Sequence, residues 1–166
     1  MSLEQNLITT LKKKGLIITF VESCTGGALA SALTNISGAS EVLKDSFVTY
    51  SNEAKIALGV PPEVIAEHSV YSKECAMAMA DAGYHKSVGA SIAVGVTGSL
   101  DRVDPANPND SQPGEVFIGV IRKTESGWVD SNYFLKVNRY ASRRYAKRII
   151  SDFVFRSLLE ELKHLD

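Results

Sequence analysis

The sequence predicts an α/β fold: a single-domain three-layer α/β/α sandwich whose mixed sheet is closed by a β-hairpin and followed by a long C-terminal helix. Three observations predict it. Leu16–Val21 and Ala90–Val96 are nearly continuous apolar runs rich in β-branched residues, as in central strands covered on both faces. Segments of helical periodicity alternate with such runs, which implies a sheet between helical layers. Glu115–Arg122 and Trp128–Val137 flank the turn Thr124-Glu125-Ser126-Gly127, and Glu115–Arg122 alternates in the manner of a hairpin strand. A length of 166 residues suits one domain, 1–166, and neither an internal repeat nor a linker interrupts it.

Taken in order, Leu3, Leu7, Ile8 and Leu11 recur at helical spacing, and Gly15 after Lys12-Lys13-Lys14 marks the helix stop. The three lysines suit the negative end of that helix. Leu16–Val21 is the first strand. It runs into Glu22-Ser23-Cys24-Thr25-Gly26-Gly27, and a small-residue helix follows with Ala28, Leu29, Ala30, Ala32 and Leu33. A turn at Ser37-Gly38-Ala39-Ser40 precedes a second strand, Phe47–Tyr50, and Asn52 is placed to cap the next helix. Pro62–Glu67 reads as a short helix, proline being suited to a first helical position. Ser72 caps a longer helix through Ser87, and Ala90–Val96 is the next strand. Leu100–Pro113, rich in Pro, Asn and Asp, reads as a long exposed loop over the strand ends. The last element, Arg139 to about Lys163, places Ala146, Ile149, Ile150, Phe153, Val154 and Leu158 at helical spacing behind a basic first half.

Composition narrows the function. Apolar residues make up 45%, and 18 basic against 19 acidic residues leave a net charge of −1. That balance argues against a nucleic-acid binder, which carries a basic excess. No apolar run reaches the roughly 18 residues needed to span a membrane. The first residues lack a basic segment followed by an apolar one, so no signal peptide is expected. Cys24 and Cys75 are too few for a disulfide framework or a four-cysteine metal site, which points to free thiols and a cytoplasmic location.

The candidate chemistry sits at strand-to-helix junctions, where an α/β sheet presents side chains and free N–H groups to a ligand. Lys55 falls near the start of a helix. The positive helix end and partial burial would both lower its pKa and make it a usable base. Such a base needs a hydroxyl to activate, and Ser23, Ser40, Ser46 and Ser51 are all available. Ser40 sits just after Gly38-Ala39 at an expected helix start, where free N–H groups could form an oxyanion hole, and Ser23 lies beside Gly26-Gly27, whose amides could cradle a phosphate or a carboxamide oxygen. Cys24 is a candidate nucleophile without a histidine near it in sequence, and His68, His85 and His164 show no ligand-like spacing. No metal or cofactor is expected.

Ser23-Cys24-Thr25-Gly26-Gly27, Gly38-x-Ser40, Tyr50-Ser51-Asn52-x-x-Lys55, Gly59-Val60 and Val96-Thr97-Gly98 occur in that order. Together they resemble the CinA C-terminal-domain family, whose characterised members are nicotinamide-nucleotide amidases. The resemblance covers nearly the whole chain. It implies hydrolysis of nicotinamide mononucleotide to nicotinic acid mononucleotide and ammonia through a Ser/Lys pair, in pyridine nucleotide recycling. Carried over by motif, Ser40 is the nucleophile and Lys55 the base, with Tyr50 and Thr97 supporting proton transfer or orientation. Ser23, Thr25, Gly26, Gly27 and Gly98 would bind substrate, and Arg139 and Arg143 would hold its phosphate. The family also implies a homodimer. The chain departs from the family pattern in two places. After Thr97-Gly98 a glycine-rich bend is replaced by Ser99-Leu100-Asp101-Arg102-Val103-Asp104-Pro105, and Asn138 stands where an acidic residue precedes the first arginine. Two other readings therefore stand beside the first: a nucleotide- or partner-binding homologue without catalysis, and an amidase for another small substrate.

Overall fold

A computed structural model describes residues 1–165. Helix α1 (Leu3–Lys14) opens the chain between a Ser2–Gln5 capping box and a left-handed Gly15. Strand β1 (Ile18–Glu22), helix α2 (Ala28–Thr34), a 3₁₀ turn (Ala39–Glu41) and the short strand β2 (Phe47–Val48) follow. Helices α3 (Asn52–Leu58), α4 (Pro62–His68) and α5 (Lys73–Lys86) lead to β3 (Ile92–Gly98). The hairpin β4 (Glu115–Thr124) and β5 (Gly127–Lys136) then precedes α6 (Arg143–Lys163).

The five strands are ordered β2-β1-β3-β4-β5. β1 is parallel to β2 and β3, whereas β4 runs antiparallel to both β3 and β5, so the sheet is mixed as expected. Apolar side chains alternate across it. Ile18 and Phe20 join Val94, Val96, Ile118 and the apolar stripe of α6 (Ile150, Val154, Phe155, Leu158) in the larger core with α1 and α2. Val21 points the other way, into a smaller core with Cys75 and Met79 of α5. The chain steps outward from β1 to β2 and then returns across β1 to β3. The carboxyl ends of β1, β2 and β3 therefore frame a crevice where the strand order reverses.

Several boundaries differ from those read in the sequence. Ser51, not Asn52, caps α3 by accepting from the Ala54 N–H. The last helix begins at Arg143 behind a Ser142 cap, which leaves Arg139 outside it. Pairing confines β1 to Ile18–Glu22 and β2 to Phe47–Val48, because ladder bonds and not apolarity define a strand.

Helix α5 lies unusually close to the sheet over two glycines. A Cβ on Gly95 would meet the Ala76 carbonyl oxygen at 2.1 Å and the Ala80 nitrogen at 2.8 Å, and one on Gly119 would meet Ala76 and Met77 backbone atoms at 2.7 Å. Backbone cannot yield as a flexible side chain does. Gly95→Ala is expected to destabilise the fold by about 3 kcal/mol, the upper end for overpacking, read as an earlier urea midpoint.

Candidate functional site

The crevice holds a cavity of about 490 Å³ lined by Ser23, Cys24, Tyr50, Tyr71, Gly98, Arg143 and the segment Ser99–Pro105. Its base is set by the alternation of β1. Val21 faces α5, Glu22 faces α2, and Ser23, one residue beyond the strand, meets Lys55 of α3. The Lys55 ammonium nitrogen stands 3.1 Å from Ser23 Oγ and donates to the Thr49 carbonyl at 3.0 Å. Lys55 is only 2% exposed and Ser23 only 7%. Among the described residues no carboxylate forms an ion pair with this amine. Burial therefore lowers the Lys55 pKa, opposed by Cys75, Cys24 and Asp104. The cause is chiefly desolvation; Lys55 is the fourth residue of the seven-residue α3, as near its last turn as its first, so the helix-dipole argument made from sequence adds little.

The expected Ser40–Lys55 pair is not formed. Ser40 is exposed in the 3₁₀ turn and lines a separate depression with Thr34, Gly38, Lys44 and Asp45. Ser51 is used as a helix cap, and Ser46 Oγ donates to the Phe20 carbonyl, so Ser23 is the serine brought to the lysine. Thr97 is fully buried and its hydroxyl donates to the Val70 carbonyl at 2.8 Å, tying the end of β3 to the segment before α5. Tyr50 is 63% exposed at the cavity rim, where its hydroxyl accepts from Arg143 at 3.2 Å. Arg143 also pairs with Asp101. Arg139 lies outside the cavity with its guanidinium over the Tyr140 ring at 5.6 Å. Gly98 lines the cavity and lies so near β4 that a Cβ would meet the Glu115 carbonyl at 2.6 Å.

The Thr25-Gly26-Gly27 turn is held from inside. Gly26 and Gly27 have φ of 59° and 97°, in the left-handed region that glycine tolerates. The Glu22 carboxylate, fully buried, accepts from the Leu29 N–H at 2.9 Å and the Ala30 N–H at 3.2 Å. These first-turn amides of α2 are therefore occupied by the protein itself. The Thr25 and Thr49 hydroxyls are buried without a hydrogen-bond partner. Cys24 is also buried, and desolvation pushes its thiol up to about 12, so it stays protonated and is a poor nucleophile.

The segment Leu100–Pro113 forms no helix or strand and is mostly exposed, as expected, but hydrogen bonds order it. Ser99 N–H donates to the Glu115 carbonyl and Gly114 N–H to the Ser99 carbonyl, which staples its two ends together. Inside it, Asp104 accepts from Tyr71 at 2.6 Å, Asn107 at 2.7 Å and the Ala106 N–H at 3.0 Å, and its own N–H donates to the buried Ser111 hydroxyl. Burial would raise the Asp104 pKa, but these donors outweigh it and hold the carboxyl below its usual range. Glu22, Tyr71, Asp101 and Asp104 were not singled out from sequence. The one available signal was Glu22, an acidic residue ending an otherwise apolar strand.

A buried amine with a serine in reach lies at the strand ends of this mixed α/β sheet, beside the cavity. The comparisons place the chain more closely. Residues 1–158 match the CinA C-terminal domain, and the chain belongs to that family. A CinA-like protein of Chloroherpeton thalassium is 45% identical over 129 residues, 76% of this chain and 30% of that protein. One from Dictyoglomus thermophilum is 36% identical over 160 residues, 95% of this chain and 38% of its own length. The chain thus spans about a third of these curated relatives. Among solved structures, the competence/damage inducible protein CihA of Agrobacterium tumefaciens superposes with a TM-score of 0.82 at 30% identity, covering 98% of this chain and 94% of that one. A CinA-superfamily protein of Klebsiella pneumoniae gives 0.85 at 26%, covering 98% and 96%. Among the described residues no helix is long and apolar enough to cross a membrane.

Proposed function

We propose that this protein hydrolyses a primary carboxamide, with nicotinamide mononucleotide as the substrate and nicotinic acid mononucleotide and ammonia as products. The observation that carries the reading is the buried Lys55–Ser23 pair at the base of the cavity. The Thr49 carbonyl fixes the amine by accepting one of its hydrogens, which leaves the lone pair of the neutral form for the Ser23 hydroxyl. Lys55 takes the Ser23 proton as Oγ attacks the amide carbon. Lys55 then returns that proton to the leaving nitrogen, the C–N bond breaks and ammonia departs. Water, deprotonated by the same amine, cleaves the acyl ester and restores Ser23. Arg143 and Arg102 at the cavity mouth supply positive charge for a phosphate, and Tyr50 orients Arg143. In this reading Ser23 replaces Ser40 as nucleophile, and Arg143 without Arg139 contacts the phosphate. Pyridine nucleotide recycling in the cytoplasm is the setting proposed.

A second reading rests on Asp101, whose pairing with Arg143 places a carboxylate where an anion would otherwise bind. It makes the protein an amidase for a small substrate lacking phosphate. Ammonia release from nicotinamide mononucleotide and from its dephosphorylated nucleoside separates the two. The first reading expects the nucleotide to be preferred and Ser23→Ala to lower turnover by about a thousandfold while Ser40→Ala leaves it within a factor of about two. Preference for the nucleoside favours the second. No ammonia from either, on folded protein, removes both compounds as substrates and favours a binding homologue.

A further inference from the structure

Tyr71 and Asp104 both line the cavity, and neither takes part in the reaction proposed above. Tyr71 lies in the short turn between α4 and α5, and that turn is built to fix it. Ser69 has φ 69° and ψ 162°, the one non-glycine residue with positive φ among the described residues. Side chains rarely adopt that conformation, and it persists only where neighbours impose it. Here they do. The Ser69 hydroxyl accepts from the Tyr71 N–H at 3.1 Å, and the Ser69 carbonyl accepts from the Ser72 hydroxyl at 2.8 Å. Between them the Val70 carbonyl accepts from Thr97 at the end of β3. Tyr71 is thereby held, half-buried, at the wall of the cavity whose base holds Ser23.

Charge decides the direction of the bond between the two. Asp104 Oδ2 accepts from the Tyr71 hydroxyl at 2.6 Å and from the Asn107 side-chain amide at 2.7 Å, and Oδ1 accepts from the Ala106 N–H at 3.0 Å. Asn107 is oriented in turn by Asn52 of α3, which donates to its Oδ1 at 3.4 Å. Burial would raise the Asp104 pKa, but Tyr71, Asn107, Ala106 and Lys55 together keep the carboxyl ionised. An ionised carboxylate only accepts, so the Tyr71 hydrogen lies on the Asp104 side. Burial and that carboxylate push the Tyr71 pKa well above its ordinary range, so the phenol keeps its hydrogen. Its lone pairs remain, and among the described residues nothing donates to them. Tyr71 therefore meets the cavity as an acceptor only.

We propose that Tyr71 is the residue that selects a primary amide, its phenolic oxygen accepting an N–H of the substrate while Asp104 holds the phenolic hydrogen. This role rests on the carboxamide reading of the site given above and supplies its specificity. An amide –NH2 offers the donor that Tyr71 lacks, whereas a carboxylate offers only lone pairs. The acid formed by hydrolysis meets the phenol oxygen against oxygen, which favours its release. An ester of the same acid likewise brings no donor and leaves the phenolic oxygen unpaired. Asp104 is a positioning residue, acting through Tyr71 and not on the substrate. It belongs to Ser99–Pro105, the stretch in which the chain departs from the family pattern.

Calorimetric titration of nicotinamide mononucleotide and of nicotinic acid mononucleotide into Ser23→Ala protein, which lacks the proposed nucleophile, tests this role. The amide is expected to bind more tightly than the acid. Adding Tyr71→Phe, which keeps the ring, is expected to cut that preference by about tenfold, chiefly by weakening the amide. Asp104→Asn supplies an N–H to the phenolic oxygen and turns the Tyr71 hydrogen toward the cavity. The acid is then expected to bind about fivefold more tightly, although Tyr71 is intact. Loss of a negative charge alone would also favour the acid, so Tyr71→Phe/Asp104→Asn decides: the acid's gain disappears there if the phenol carries the effect. An amide-to-acid ratio unmoved by Tyr71→Phe overturns the proposal. So does an acid affinity unmoved by Asp104→Asn, a gain that persists in the double variant, or a protein that binds neither nucleotide or prefers the acid. Hydrolysis is read separately, as ammonia from wild type. Its absence with the ratio shift intact removes the amidase and keeps Tyr71 as the reader of the amide in a binding protein.

Discussion

Replacing Lys55 with methionine is expected to lower amide hydrolysis by about a thousandfold while leaving the protein at least as stable as wild type. The catalytic loss is that of a general base. The stability follows from the cost of holding an ammonium in the interior. With its pKa depressed by burial, Lys55 binds fewer protons in the folded chain than in the unfolded one, at every pH between its lowered value and the ordinary 10.5. Stability then rises with pH across that window. Below the window the folded state carries the full cost of the buried charge; at its upper end the cost is gone. Lys55→Met removes the ionisable group, so the pH slope that it contributes disappears. Thermal melts of wild type and variant across neutral to alkaline pH check this, and parallel curves would mean that Lys55 titrates normally. The same depression fixes the activity profile: kcat/KM rises with pH as the amine loses its proton, with a midpoint below 10.5. A profile that rises only at 10.5 or above would exclude a depressed Lys55 as the base.

Glu22→Ala is expected to be the most damaging single change to stability near the site. It strands the buried Leu29 N–H and the half-buried Ala30 N–H, and each orphaned donor costs about 1–3 kcal/mol, with Leu29 at the higher end. A total near 3 kcal/mol lowers Tm by roughly 10 °C in a chain of this size. Glu22→Gln keeps one acceptor oxygen and is expected to recover about half of the loss. The Ser23–Gly27 turn hangs between Glu22 and these amides, so kcat should fall in Glu22→Gln more than KM rises. Calorimetry with steady-state kinetics on both variants reads this. Equal effects of Ala and Gln would show that the carboxylate does not cap the helix.

How far the sequence could be read depended on whether the decisive contact was local. The apolar runs at the first and third strands, the hairpin alternation and the final helix are all local patterns, and each became an element near its expected place. The lysine near the start of α3 was legible for the same reason. Its partner was not. Ser40 is nearer to Lys55 in sequence than Ser23 is, but the parallel pairing of Glu22 with Val48 sets Ser23 beside Thr49 and the start of α3. Parallel register joins segments separated by a whole crossover, and no spacing rule in one sequence reports it. Arg139 and Arg143 looked equivalent by periodicity until the Ser142 cap left one before the helix and the other in its first turn. Leu100–Pro113 read as an exposed loop because Pro, Asn and Asp mark turns, while the Tyr71–Asp104 bond that ties it down depends on a residue elsewhere in the chain.

The staple formed by Ser99, Gly114 and Glu115 fastens both ends of the segment over the cavity to backbone atoms of the sheet, not to side chains. Everything between those fastenings can be exchanged without altering the ladder beneath, and neither Lys55, Ser23 nor Thr49 belongs to it. In the proposed reading, the part of the cavity wall that this segment supplies and the Lys55–Ser23 pair are thus separable modules. A lineage could retool what enters the crevice by rewriting one short cassette, with the reactive pair inherited intact.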